Sequence, residues 1–404
     1  MEAYILEWLN LLLRWAHLIV GIAWIGSSFY FVWLDLNLNV PPRDPEDEGV
    51  AGDLWAVHGG GFYHAQKYKV APGELPEPLH WFKWEAYTTW LTGFALLVLM
   101  YYLNADVYLI DKTVADITPG MAVWISLGFI LASWIIYDLL CRTGWNNVWI
   151  GLAGFLFLVA AVYFISHLFS GRGTYIQIGS MLGTIMVANV LMVIIPGQRE
   201  LVQAKQRGEE PDPLPGARAN QRSVHNNYLT LPVLFVMLSP HYPMTYGHEY
   251  SWLLLVAIFI AGALIRHFFN LRNQGRAAPL LIVIALLVLI LAAFIAAPKS
   301  RAVPDREAAI SPPQPAGPVS FSQLQHVIVQ RCNICHSAEP NHPTAPVAPN
   351  GVMFDTPDQI RQWAQRIHDR TVSNRTMPLA NLTQMTDEER QLVDRWYKTG
   401  AEIE

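Results

Sequence analysis

Residues 279–297 read PLLIVIALLVLILAAFIAA, nineteen positions without one charged side chain. An apolar run of this length crosses the hydrocarbon core of a bilayer as a helix. Inside lipid the backbone must satisfy its own hydrogen bonds, and a helix does so within one segment. Working back toward the N-terminus, runs of the same kind cover roughly 9–34, 83–104, 121–140, 148–169, 175–195, 225–239 and 250–270, with 225–239 the shortest. The expected fold over 1–297 is therefore an all-α polytopic membrane bundle of about eight transmembrane helices. Composition agrees: 52% of the 404 residues are hydrophobic and mean hydropathy is +0.25, too apolar for an ordinary soluble chain. The first run lacks a basic n-region and continues past the length of a signal-peptide core, so it reads as a span. No internal repeat stands out. The lipid bilayer is an expected partner and nucleic acid is not. The net charge of −5 adds little, because the acidic residues concentrate in 44–53 and in the tail.

Beyond 297 the chain changes character. Residues 298–319 include Ser311-Pro-Pro-Gln-Pro-Ala-Gly-Pro318, which reads as an extended, semi-rigid linker. It would hold the tail near the membrane while letting it swing, or serve as a plain spacer. Then comes Cys332-Asn-Ile-Cys335-His336. C-x-x-C-H is the attachment sequence of a c-type haem: each thiol bonds one vinyl group, and the adjacent histidine lies beneath the iron. These are two of three cysteines in the chain, which leaves little other thiol chemistry to explain. A chance match, a disulfide or a partial zinc site is the competing reading. The sixth iron ligand is sought in a methionine, whose thioether raises the potential of a His-ligated iron. Met377 stands in Arg375-Thr-Met-Pro378, while Met353 and Met385 are its rivals. Thr386 and Glu389 read as a capping box opening an amphipathic helix through Leu392, Val393 and Trp396. Residues 320–404 thus resemble a small α-helical class I cytochrome c, with His336 and Met377 on the haem iron.

Two arguments set the topology. Haem is attached to such sequences outside the bacterial cytoplasm, so the tail is expected in the periplasm, and eight spans put the N-terminus there too. Basic residues agree. The loops assigned to the cytoplasm carry Arg43, Lys67, Lys69, Arg142, Arg199, Lys205, Arg207, Arg218, Arg222, Arg272 and Arg276, with 197–224 read as a loop along the inner surface. The short periplasmic loops carry Lys112 and Arg172. The expected location is the bacterial inner membrane.

Ionisable groups within spans are costly and mark sites. Toward the periplasmic side lie Arg14, His17, His167 and His241. His17, Gly21, Trp24 and Ser28 share one helical face, with Gly21 leaving room for a flat ring. His17 is a candidate haem b ligand, with His167 opposite it by depth; a histidine hydrogen-bonded to a neighbouring helix is the plainer reading. Toward the cytoplasmic side lie His80, Lys83 and Glu85, then His225, Asn226 and Asn227, then Arg266, His267 and Asn270. His58 and His64 sit in the first cytoplasmic loop. The second set offers aromatic neighbours, cations, amides and a carboxylate, which suit a flat, polar, anionic heterocycle. Interfacial anchoring accounts for any one of these residues, and for the whole set less well.

Five segments carry a resemblance: GIAWIGSSFYF at 21–31, LWAVHGGGFYHAQKY at 54–68, LHWFKWEAYTTW at 79–90, HNNYLTLPVLFVMLSPHY at 225–242, and CNICH at 332–336 with MPLANLTQMTDEER at 377–390. Together they resemble the membrane-bound bacterial urate hydroxylase family (PuuD type), over nearly the whole chain. The resemblance implies oxidation of urate to 5-hydroxyisourate in purine degradation. Electrons would pass one at a time to the fused haem c and on to a respiratory-chain acceptor, soluble cytochrome c or terminal oxidase, rather than to oxygen. His80, Lys83, Glu85, His225, Asn226, Asn227, Arg266 and His267 are then the candidates for urate binding and proton transfer, with a histidine or a desolvated Glu85 as base. A cytoplasmic urate site leaves most of the bilayer between urate and haem c, a gap that haem b near His17 would bridge. A site at Arg14, His17 and His167 would need no bridge. Two other readings compete: a non-catalytic membrane cytochrome serving a partner dehydrogenase, and a transporter with a redox sensor attached. The oligomeric state stays open.

Overall fold

The computed structural model describes residues 2–40, 49–112, 114–247, 250–296, 319–342, 348–349, 352–373 and 375–403. Arg43 and all but Val319 of the Pro-rich linker expected at 298–319 lie outside them. Helix α1 (Glu2–Asn37) is followed by strands β1 (Val50–His58) and β2 (Gly61–Tyr68), then by α2 (Trp84–Leu97), which continues as a π-helical turn, Val98–Tyr102, and the short α3 (Ala105–Tyr108). Helices α4 (Pro119–Arg142), α5 (Asn147–Ser166) and α6 (Gly171–Asn189) come next. Helix α6 passes through a second π turn, Val190–Ile194, into α7 (Ile195–Gln206). Then follow α8 (Pro213–Leu238), α9 (Pro243–Tyr246), α10 (Ser251–Asn273) and α11 (Pro279–Ile295).

Local chemistry explains the starts. Thr118, Asn146, Ser170 and Asp212 each accept a backbone N–H at the head of the helix that follows, satisfying donors no intrahelical carbonyl reaches. Among the described residues five helices are long and apolar enough to cross a membrane: Trp8–Asn37, Pro119–Arg142, Asn147–Ser166, Gly171–Gln206 and Ser251–Asn273. The other expected spans are also helical. Helix α2 is interrupted by its π turn, α8 has a polar first half, and α11 has seventeen residues. Large apolar side chains face outward: Trp15, Ile22, Leu131, Leu287 and Phe294 are each at least 60% exposed, far beyond what a water-facing surface carries as a contiguous patch. The core lies around α6, whose Tyr175, Ile178, Met181 and Leu182 are almost fully buried among α4, α5, α8 and α10.

Two expectations are corrected here. Residues 50–68 form an antiparallel hairpin rather than a plain loop, so the fold is mostly, not wholly, α. Gly59 and Gly60 form a two-residue turn with both φ positive, 57° and 83°, the geometry that matches strand twist. His64 stacks on Trp55 at 4.3 Å and pairs with Asp53 at 2.6 Å across it. Residues 197–224 are not a surface loop either, because α7 runs to Gln206 and α8 starts at Pro213. Proline at the first helical position is pre-set for the helix.

The tail is a small helical unit: α12 (Phe321–Arg331), α13 (Pro357–Gln362), α14 (Ala364–His368) and α15 (Asp387–Lys398). The Thr386–Glu389 capping box forms. Leu324, Ile328, Ile360, Val393 and Trp396 make its core, each at most 1% exposed. A 3-10 turn at Leu379–Asn381 packs against α3.

Candidate functional site

In the tail, α12 ends at Cys332, and the chain keeps turning so that Cys335 N and His336 N donate to Cys332 O at 3.1 and 2.9 Å. This brings Cys332, Cys335 and His336 to one side of a cavity of about 270 Å³ that Met377 also lines. His336 Nδ1 lies 3.0 Å from Val352 O. A carbonyl only accepts, so Nδ1 carries the proton and Nε2 is left as the ligand atom, the usual way a ligating histidine is oriented. Burial, with Cys335 adding to it and Arg390 opposing, pushes the Cys332 thiol up to about 12. Burial also raises the Cys335 thiol. It lowers the His336 imidazole, against the Val352 bond and with help from Arg370. Both cysteines are free, and among the described residues no group of three His, Cys, Asp or Glu could hold a metal ion. A cavity lined by two thiols, an imidazole and a thioether, with Val352, Phe354, Leu379 and Leu382 among its walls, fits a flat macrocycle bonded through two sulfurs.

The methionines separate cleanly. Met377 N donates to Arg370 O at 2.9 Å, and its carbonyl accepts from Arg390 Nη1 at 2.9 Å. That clamps its backbone at the cavity wall. Met385 is 3% exposed and belongs to the core. Met353 does not line the cavity.

Two of the buried polar networks in the helical domain involve expected residues. In one, Arg222 of α8 pairs with Asp138 of α4 at 2.7 Å and donates to Asn189 Oδ1 at 3.3 Å. Asn189 donates in turn to Asn226 at 2.8 Å and to Tyr137 at 3.2 Å. Tyr137 Oη meets His225 Nδ1 at 2.8 Å. In the other, Arg266 Nε donates to Asn227 Oδ1, and Asn227 donates to Asn270 at 3.2 Å. The Arg266 guanidinium sits 4.0 Å from the centre of the Phe29 ring. Arg266 is 7% exposed and has no carboxylate partner among the described residues. A buried cation without a counter-charge is costly.

The expected residues divide. His225, Asn226, Asn227 and Arg266 are drawn into these networks, and His267 meets Tyr228 at 2.7 Å beside them. His80, Lys83 and Glu85 bond to none of them. His80 packs edge-on to Phe82 at 4.7 Å, Lys83 lies over Trp84 at 5.7 Å, and Glu85 Oε2 is buried with no partner. His17 turns onto α2, with Nδ1 at 3.0 Å from Thr92 Oγ1 and 3.1 Å from Thr89 O. The glycine that admits its ring is Gly93, not Gly21. His167 is held on its own helix by Tyr163 O at 2.8 Å. His17 makes the interhelical bond of the plainer reading, His167 bonds within its own helix, and the two share no partner among the described residues. Asp138, Asn189 and Tyr137 escaped the sequence reading. Asp138 carried the available signal, a charge inside an apolar run. A groove of about 560 Å³ lined by Pro76, Trp81, Val202 and Gln206 touches none of these residues.

The sequence model of the family described as urate oxidase N-terminal matches residues 3–297. No curated protein and no solved structure matches the chain.

Proposed function

Because the chain belongs to the urate oxidase N-terminal family, we propose that it oxidises urate to 5-hydroxyisourate in the bacterial inner membrane. Urate and water give 5-hydroxyisourate, two protons and two electrons. The electrons leave singly through the tail to a respiratory-chain acceptor. The family match over 3–297, joined to a tail cavity holding Cys332, Cys335, His336 and Met377, carries this reading. Bonded through the two cysteines and ligated by His336 and Met377, haem c supplies a one-electron acceptor.

The eight expected spans remain part of the proposal. Arg14 meets Met100 at 2.8 Å, Ser170 meets Leu109, and Tyr175 meets Thr245 and Ser251 at 2.8 Å each. These contacts gather the ends of α1, α2, α6 and α10 on the side where the tail docks. Arg222–Asp138 and Gln221–Asn147 gather the opposite ends of α4, α5 and α8. That alternation supports helices that cross in alternating directions; eight crossings with a periplasmic N-terminus and tail are the proposal built on it.

For the substrate, we assign Arg266 as the group that holds the purine monoanion. A guanidinium offers a planar fork, Asn227 aims it, and Phe29 gives it an aromatic face. Helices α1 and α2 run in opposite directions, bringing Phe31 to Phe82 and His17 to Gly93. On that register Glu85 falls at the level of Ser27–Ser28, about half a turn or less along the axis from Phe29. We assign its buried, unpartnered Oε2 the role of taking a proton from urate or from the attacking water. Haem b between His17 and His167 stays outside this assignment.

The test is anaerobic. The purified protein is oxidised, urate is added without oxygen, and the visible spectrum is followed. Prompt reduction of a c-type α-band with 5-hydroxyisourate formed is expected. A haem that dithionite reduces and urate does not would end the enzyme reading and leave a carrier awaiting a partner dehydrogenase.

A further inference from the structure

We infer that the helical domain supplies one wall of the haem c pocket, the Val107–Tyr108 turn of α3, and that electrons enter the haem across it. The inference rests on the cytochrome reading above. Val107 and Tyr108 line the same cavity as Cys332, Cys335, His336 and Met377, and α3 packs on Leu379–Asn381. Val107 is 3% exposed, so the contact excludes water.

The wall is rigid. Ser170 N donates to Leu109 O at 2.9 Å and Ser170 Oγ to Tyr108 O at 3.1 Å. Gly173 approaches so closely that a Cβ there would stand 2.5 Å from Leu109 O. The wall is also charged from behind. The Arg172 guanidinium lies 4.7 Å from the Tyr108 ring and 5.8 Å from the Tyr101 ring, and Arg172 Nε donates to Tyr101 Oη at 3.2 Å. Arg370 lines the cavity itself. Neither arginine has a carboxylate partner among the described residues. A haem brings two propionate carboxylates, which Arg370 at the cavity offsets directly and Arg172, behind the wall, through the polarised Tyr108 ring.

A docked wall changes the role of the tail, which works in place rather than by swinging. Two one-electron transfers across the wall account for the two electrons urate loses. Tyr108 provides contact and is not itself oxidised, so no further oxidant is needed.

The experiment uses the full-length, haem-loaded protein. Imidazole displacing the methionine of the ferric haem is timed by visible spectroscopy, and the midpoint potential is titrated. Val107→Glu sets a carboxylate into the contact, Tyr108→Ala opens the wall, and Arg172→Met removes the backing charge. The first two are expected to speed imidazole binding at least tenfold, and the third to lower the potential. Wild-type imidazole kinetics in Tyr108→Ala would overturn the inference, even if Val107→Glu fails to accumulate. So would a wild-type protein that carries no covalent haem. These readouts need no urate, so a protein that urate fails to reduce loses the enzyme assignment while the wall is still judged on its own.

Discussion

At the scale of single residues, the legible chemistry was the chemistry with fixed spacing. Cys332, Cys335 and His336 are contiguous, so sequence alone grouped them, and Met377 follows from a loop context its rivals lack. Met377→Ala should lose the His/Met spectrum and lower the midpoint potential, because the thioether favours the ferrous iron; a spectroelectrochemical titration checks both. Arg266 was visible as a cation inside an apolar run, but its lack of a counter-charge was not, since that depends on what α1 and α8 bring to it. Arg266→Gln should raise the KM for urate roughly thirtyfold, the factor that matches the loss of about 2 kcal/mol of charge-assisted hydrogen bonding. Steady-state reduction kinetics read it, and an unchanged KM would move urate elsewhere. Asn189 and Tyr137 were illegible because an amide or a phenol in a span has no charge to flag it.

Elements were legible where one period ran unbroken. The apolar runs located the helices, yet polar content hid two of them: 197–224 read as a loop although Pro213 and Asp212 are a helix start. The hairpin was missed because its alternation is short and its turn is the Gly59–Gly60 pair. Contacts between elements set the next two expectations. Gly173→Ala should push α3 from the head of α6, an overpacking cost of roughly 1–3 kcal/mol, seen as a lower Tm and looser tail docking by protease protection. At the head of α15, Glu389 caps Thr386 and grips Arg331 at 2.9–3.1 Å. Burial alone would raise its carboxyl, but the Arg331 and Thr386 bonds outweigh it and hold it below the usual glutamate range. A depressed carboxyl contributes stability above its unfolded pKa and loses it as pH falls through the folded one. Melting of the tail should therefore weaken below about pH 4, and Glu389→Gln should flatten that part of the profile.

For the whole molecule, the proposed orientation rests on an argument that sequence can make, the partition of basic residues between loops. Which helices touch did not, because ridge packing around α6 depends on small residues such as Gly179 that admit Val236. Arg222 shows the difference. It counted as a loop cation, and it is 4% exposed and paired to Asp138. Breaking that pair by Asp138→Ala should cost about 3–5 kcal/mol, measured as lost folded yield in detergent. The pair also reaches back to the making of the protein. Helix α4 already holds this acid against its own Arg142 at 2.6 Å, and α8 follows more than seventy residues later with a second base. A lone charge is expensive in hydrocarbon, so the acid that waits on α4 is expected to ease the arrival of Arg222 when α8 enters the membrane.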